Sequence, residues 1–278
     1  GTFEPTVSFM TRYGYVELSN TASALAYGTD FAMADHDAVT KNGVTKNGVL
    51  IDGMPLGPRF YGRRKGRPLR ASMKRLLDEA LPQFAFDPAR PIDDQFGHKA
   101  DRYLEIGFGG GEHLAGLAAA MPDCDFIGAE PFINGVASLL RHIDEQQLGN
   151  IRIWPDDVRL IMPSLGAASL AGAFIMFPDP WPKKRHAARR ILQTALLDQL
   201  AVMIRPGGRL VLASDDPTAK SWLLQAATAH ADFMWTARSP QDWRQRPAEL
   251  PETRYMKKAD RAERQSSWFL FQRCGVAD

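Results

Sequence analysis

From about residue 101 this chain alternates short apolar runs with amphipathic segments, and that alternation admits few folds. Apolar runs of four to six residues bounded by turn residues read as strands, and the stretches between them carry helical spacing. Repeated in this order they form a mostly parallel sheet with helices on both faces, an α/β fold. The pattern predicts strands over residues 102–106, 125–129, 151–154, 173–177 and 209–213. It predicts helices over 112–120, 133–147, 186–204 and 219–229, with a short helix near 158–162. Leu192, Leu196, Leu200 and Met203 form one stripe of the helix over 186–204, and Pro206-Gly207-Gly208 ends it. Residues 233–237 and 268–272 are expected to close the sheet as an antiparallel pair.

Open α/β sheets bind ligands at the carboxyl ends of their strands, so the residues there bear most on function. Gly107, Gly109, Gly110 and Gly111 follow the first strand and open a helix. A plain tight turn explains them, as does a loop that lets a ligand approach the backbone. The dinucleotide fingerprint needs glycine at 112, where this chain has Glu112. A carboxylate at a helix start is also a poor neighbour for a pyrophosphate. A cofactor without phosphates and with cationic groups, such as S-adenosylmethionine, fits better. Acids recur at the strand ends. Glu105 lies in the first strand, Glu130 follows the second, Asp157 the third and Asp179 the fourth. Glu130 stands where an acid can accept from ribose hydroxyls. Asp157 can accept from an adenine amino group, but it is also a good helix N-cap, and the adjacent Asp156 is the alternative ligand.

The fourth strand runs into Phe177-Pro178-Asp179-Pro180-Trp181-Pro182-Lys183-Lys184-Arg185-His186. Trp181 fits either core or a ligand contact. Lys183, Lys184, Arg185, Arg189 and Arg190 crowd the expected start of a helix, where the macrodipole disfavours cations. An external phosphate would offset that, and solvated surface is the plainer reading. Asp215 and Asp216 follow the fifth strand. Thr253, Arg254, Tyr255 and Met256 precede the last strand and offer groups that hydrogen-bond or stack on a base.

Net charge is only +2, so bulk charge does not announce a polyanionic partner. Its distribution says more: Arg59, Arg63, Arg64, Lys65, Arg67, Arg70, Lys74 and Arg75 fall in one stretch without an acidic residue. That is either a solvated arm or an arm for a polyanion. Leu69, Met73, Leu76, Leu77 and Leu81 then follow helical spacing. Cys124 and Cys274 cannot build a metal site alone, and so few cysteines suit a reducing cytoplasm. No apolar run approaches the roughly 20 residues of a membrane helix. Residues 1–57, with a tandem Thr-Lys-Asn-Gly-Val, are expected to be a weakly ordered extension. The main domain is expected over 58–278, with a basic arm and helix over 58–82 and a catalytic core over 101–278.

The succession LEIGFGGGEHL, FIGAEPF, NIRIWPDD, FPDPWPKKRHAARR, LASDD and TRY resembles the bacterial tRNA (guanine-N7-)-methyltransferase family over about residues 60–278. The Pro-Asp-Pro-Trp-Pro-Lys segment is the specific part of the match, while the glycine loop is shared by many methyltransferases. The resemblance implies the Rossmann-like class I methyltransferase fold with a seven-stranded sheet. It implies methyl transfer from S-adenosylmethionine to N7 of guanine 46 in the variable loop of tRNA; no metal and no membrane are expected, and a monomer or homodimer is. It implies that Glu105, Gly107, Gly109, Glu130, Asp157 and Asp179 hold the methyl donor, with Asp179 also catalytic. Lys183, Asp215, Thr253, Arg254, Tyr255 and Met256 would hold the substrate. Met256 departs from the glutamate usual there, and methionine cannot accept from guanine. The competing readings are an amino-group methyltransferase, a non-catalytic tRNA-binding module and, disfavoured by Glu112, a nicotinamide oxidoreductase.

Overall fold

The structure, a computed structural model, describes residues 60–253, Met256 and residues 264–275, together with the backbone of short strands between Val7 and Pro55. It divides into two units, Gly1–Phe60 and Tyr61–Asp278. In the first unit Val7–Thr11 pairs antiparallel with Gly14–Leu18. The tandem repeat pairs with itself, placing Val44 opposite Val49 and Thr45 opposite Gly48. The remainder of the expected extension over residues 1–57 lies outside the described residues.

The second unit opens with helices α1 (Ala71–Glu79) and α2 (Leu81–Phe84). Next come β1 (Asp101–Ile106), α3 (Glu112–Ala120), β2 (Cys124–Ala129), α4 (Ile133–Gln146) and β3 (Ile151–Trp154). They are followed by β4 (Leu170–Met176), α5 (Thr194–Met203), β5 (Ile204–Ser214) and α6 (Pro217–Thr228). Strand β6 (Phe233–Trp235), the short α7 (Gln241–Arg244) and β7 (Ser267–Arg273) complete it. The seven strands form one sheet in the order β6-β7-β5-β4-β1-β2-β3. β7 runs antiparallel to both its neighbours, β5 and β6, and the expected closing pair is therefore present.

Every residue of β4 is buried, as an unbroken apolar run between two helical layers should be. Its neighbours are β1 on one side and β5 on the other. From β1 the chain builds outward through β2 and β3, then returns to lay β4 on the opposite side. The strand order thus reverses between β1 and β4, and such a reversal opens a crevice at the carboxyl ends of those two strands. The glycine loop and the Asp179 segment leave from those ends. Beneath them Leu104, Leu114, Phe126, Leu139, Leu140 and Phe174 are fully buried, each worth roughly 1.5–3 kcal/mol of apolar burial. The outer edge of β3 is covered: Phe86 donates its N–H to the Ile153 carbonyl at 2.8 Å, leaving less edge for unwanted pairing.

Two expectations needed correction. The helix predicted over 186–204 is broken: a 3-10 turn spans Lys184–Arg189 and α5 begins only at Thr194. Gln193 ends the turn by donating Nε2 to the carbonyls of Ala187 at 3.1 Å and Arg190 at 2.9 Å. Leu192 then drops into the core. The cations therefore do not sit on an α-helix N-terminus, and the dipole argument for them lapses. Likewise, the Pro206-Gly207-Gly208 breaker lies inside β5 instead of before it. Ile204 already pairs with Leu170, and the register shifts between Ile204 and Arg209, a bulge that accommodates the glycines.

Candidate active site

The glycine loop is shaped from both sides. Gly107, Gly109 and Gly111 all have positive φ, which side-chain-bearing residues rarely adopt. A Cβ at Gly107 or Gly109 would meet nothing within 4 Å, so the loop faces open space there. At Gly111 it would lie 2.6 Å from Leu139 Cβ. The loop is thus pressed onto α4 on one side and open on the other, as a cradle for a ligand requires.

Glu130 ties the loop to the second strand end. Its Oε2 accepts the Gly109 N–H at 2.8 Å and its Oε1 accepts the Phe132 N–H at 2.9 Å. Burial pushes its carboxyl above the ordinary glutamate value, the two N–H donors oppose that, and the negative charges of Asp179 and Glu105 push it further up. Three acids named from sequence therefore share one electrostatic field. Glu105 is 1% exposed and its Oε2 lies 2.9 Å from His113 Nδ1.

Asp157 is buried and caps the turn Val158–Leu160, accepting the Arg159 N–H. Its two oxygens also take the Arg159 guanidinium, Nε at 2.9 Å and Nη2 at 2.5 Å. The capping role weighed from sequence is thus present. Asp156 is engaged elsewhere, pairing with Arg64 Nη1 at 2.8 Å. That contact belongs to a strap formed by the basic arm. Ile133 donates its N–H to the Arg64 carbonyl, Gly66 donates to Asn134 Oδ1, and Asn134 Nδ2 donates to the Arg67 carbonyl. The arm is fastened to the segments that follow Glu130 and flank Asp157.

Asp179 is exposed on the loop after β4. Phe177 and Trp181, on either side of it, have φ of 52° and 40°, which for bulky side chains costs on the order of 1–3 kcal/mol each. Several contacts hold the loop in that form. Phe177 donates its N–H to the Ala213 carbonyl at 2.8 Å, and Trp222 donates Nε1 to the Pro180 carbonyl at 3.3 Å. Arg189 lies 5.0 Å from the Trp181 ring centroid and 5.4 Å from that of Tyr61. Lys183 is exposed at the start of the following turn. Asp215 pairs with Arg264 Nε at 3.0 Å, and Asp216 caps α6.

Of the last segment, Arg254 and Tyr255 lie outside the described residues. Thr253 is buried and its Oγ1 accepts the Met256 N–H at 3.3 Å. Met256 is 4% exposed and belongs to the apolar core with Leu114, Leu250 and Trp268. Its thioether fills the interior, which suits methionine and would not suit an ionised glutamate. Sequence reasoning missed His113, Arg159, Asn134 and Trp222. Only His113 left a signal, as a polar residue inside the Ala- and Leu-rich α3.

A seven-stranded sheet in this order, with a glycine loop and converging carboxylates at its switch point, defines a Rossmann-like class I methyltransferase. The acids suit the cationic sulfonium and ammonium of S-adenosylmethionine, and the open face of Gly107 and Gly109 gives a ligand room. A family model described as "Putative methyltransferase" matches residues 99–268. The tRNA (guanine-N(7)-)-methyltransferase of Rhodospirillum rubrum is 48% identical over 230 residues, covering 77% of this chain and 88% of that protein. That of Paramagnetospirillum magneticum is 43% identical, covering 78% and 93%. The chain belongs to the bacterial tRNA (guanine-N7-)-methyltransferase family. Among the described residues no helix is long and apolar enough to cross a membrane.

Proposed function

We propose that this protein methylates N7 of guanine in tRNA, at guanine 46 of the variable loop, with S-adenosylmethionine as methyl donor. The observation that carries the reading is Glu130, hydrogen-bonded to Gly109 of the glycine loop and feeling the negative charges of Asp179 and Glu105, in a chain of this family. Glu105, Glu130 and Asp157 hold the donor, with Gly107 and Gly109 giving it room to approach the backbone. S-adenosylmethionine supplies an electrophilic methyl group when bound.

Guanine N7 carries a lone pair and no proton, so no general base is needed. The work of the chain is alignment, which can supply several kcal/mol, roughly 7–11 at best. Positive charge passes to the purine as the methyl bond forms. Asp179, on a loop held by Trp222, Arg189 and the Ala213 carbonyl, stands ready to favour that charge. Lys183 holds a phosphate or the base carbonyl, and the exposed Arg63, Lys65 and Arg67 meet the tRNA backbone. Asp215 exchanges its Arg264 partner for the guanosine, and the resemblance assigns Arg254 and Tyr255 to the substrate as well, whereas the core position of Met256 leaves it no part in reading the base. The cytoplasm is the compartment proposed.

The test is methyl transfer from labelled S-adenosylmethionine to unmodified tRNA, followed by nucleoside analysis. Label in 7-methylguanosine that disappears when the variable-loop guanine is replaced is the expected result. Label in an N-methylated amino group would overturn the reading in favour of an amino-group methyltransferase.

A further inference from the structure

Two of the acids at the donor site, Glu130 and Glu105, are oriented by different means. Glu130 has a backbone N–H on each oxygen. Among the described residues Glu105 has one polar partner: His113 Nδ1, 2.9 Å from Oε2. No hydrogen bond reaches its Oε1 among the described residues. His113 is 4% exposed and its ring meets the Phe174 ring edge-on, with centroids 5.3 Å apart. Its second nitrogen, Nε2, is buried without a partner.

A buried polar atom without a partner is costly, and α3 is otherwise apolar on its inner face. Leucine would fill such a slot without that cost. What histidine adds is a donor: a carboxylate only accepts, so with Glu105 ionised the proton of the pair sits on Nδ1. We propose that His113 is the positioning residue for Glu105, turning the carboxylate so that Oε2 is held inside the protein and Oε1 is left for the cationic end of the methyl donor. The proposal rests on the donor-binding role of Glu105 given above. His113 does not touch the reacting atoms. It acts by denying Glu105 the rotation that would spend both oxygens on the protein interior.

The experiment measures S-adenosylmethionine binding by calorimetry in the absence of tRNA, together with thermal melting and steady-state kinetics. His113→Phe keeps the ring against Phe174 and loses the donor. His113→Asn loses the ring and keeps an N–H near the position of Nδ1. His113→Phe is expected to weaken donor binding about 10-fold or more, as loss of a hydrogen bond to a charged group does. Its kcat at saturating donor and its KM for tRNA should stay within about 2-fold. His113→Asn should bind the donor within about 3-fold of wild type, whatever its melting temperature. The reverse order, with the Phe variant normal and the Asn variant weak, would show a packing role and overturn the proposal. Should His113→Phe fail to fold, the comparison of His113→Asn with His113→Ala decides, since neither keeps the ring and only Asn donates; equal affinities would overturn it. Glu105→Gln separates this from the underlying reading. Normal donor binding by that variant sinks the role of Glu105 itself. Weak binding by Glu105→Gln alongside normal binding by His113→Phe sinks only the positioning role.

Discussion

Gly135 stands so close to Gly109 that a Cβ built on it would lie 2.1 Å from the Gly109 carbonyl oxygen. The first turn of α4 thus rests directly on the glycine loop. Gly109 in turn donates its N–H to Glu130, three residues before α4 begins. Helix, loop and strand end form one closed unit, and the shape of the donor cradle depends on two glycines that face each other.

Gly135→Ala tests that closeness. In an exposed helix the change would stabilise by about 1 kcal/mol. Here the clash is with backbone, which cannot rotate away, and overpacking at so short a distance costs about 3 kcal/mol or more, which outweighs the helix gain. The net expectation is a lower melting temperature, by about 2–4 °C for each kcal/mol lost, with weaker donor binding. Thermal melting and calorimetry check it, and an unchanged or raised melting temperature would count against the approach described.

In its proposed role, Glu130 is expected to make donor binding depend on pH. Burial raises its carboxyl pKa in the fold above the ordinary value. Between those two values the folded protein holds more protons than the unfolded chain, so this group's contribution to stability falls as pH rises through that window. Donor affinity runs the other way, because the ionised acid is the better acceptor for ribose hydroxyls and for the two N–H groups. Affinity should drop as pH falls through the raised pKa. Glu130→Gln is expected to flatten that profile and bind the donor about 10-fold more weakly, since its amide nitrogen must face one of two donors. Affinity measured against pH for both proteins decides, and superimposable profiles would refute the assignment.

Asp179 is exposed, so its removal leaves the core intact. Asp179→Ala should melt within about 0.5 kcal/mol of wild type and lose turnover by about 100-fold or more. Asp179→Asn should lose nearly as much, if charge rather than shape is what the purine meets. Single-turnover methylation at saturating donor and tRNA measures it. Turnover like that of wild type in either variant would remove Asp179 from the mechanism.

Much of the fold was legible because its signals are local. The period of the apolar residues marked β1 to β5, and the closing antiparallel pair was visible in the last third of the chain. Glu112 alone turned the cofactor reading away from dinucleotides. The failures were local signals overridden at a distance. Leu196, Leu200 and Met203 do share a buried face of α5, but Leu192 lies before the helix, Gln193 ends the preceding turn, and Arg189 and Arg190 reach separately to the rings of Trp181 and Trp222. No spacing rule contains those partners.

The same division holds for the site. Side-chain period and turn chemistry depend on residues a few positions apart, so the sequence by itself determined that strands and helices alternate, that a glycine loop follows the first strand, and that acids fall at successive strand ends. Which acids meet depends on strand order, and strand order is set by pairing energies between segments far apart in the chain. Only the tertiary structure placed β1 beside β4, which brought Glu105, Glu130 and Asp179 into one field. It alone fastened Arg64 to Asp156, buried Met256 in the core, and gave Glu105 the imidazole of His113.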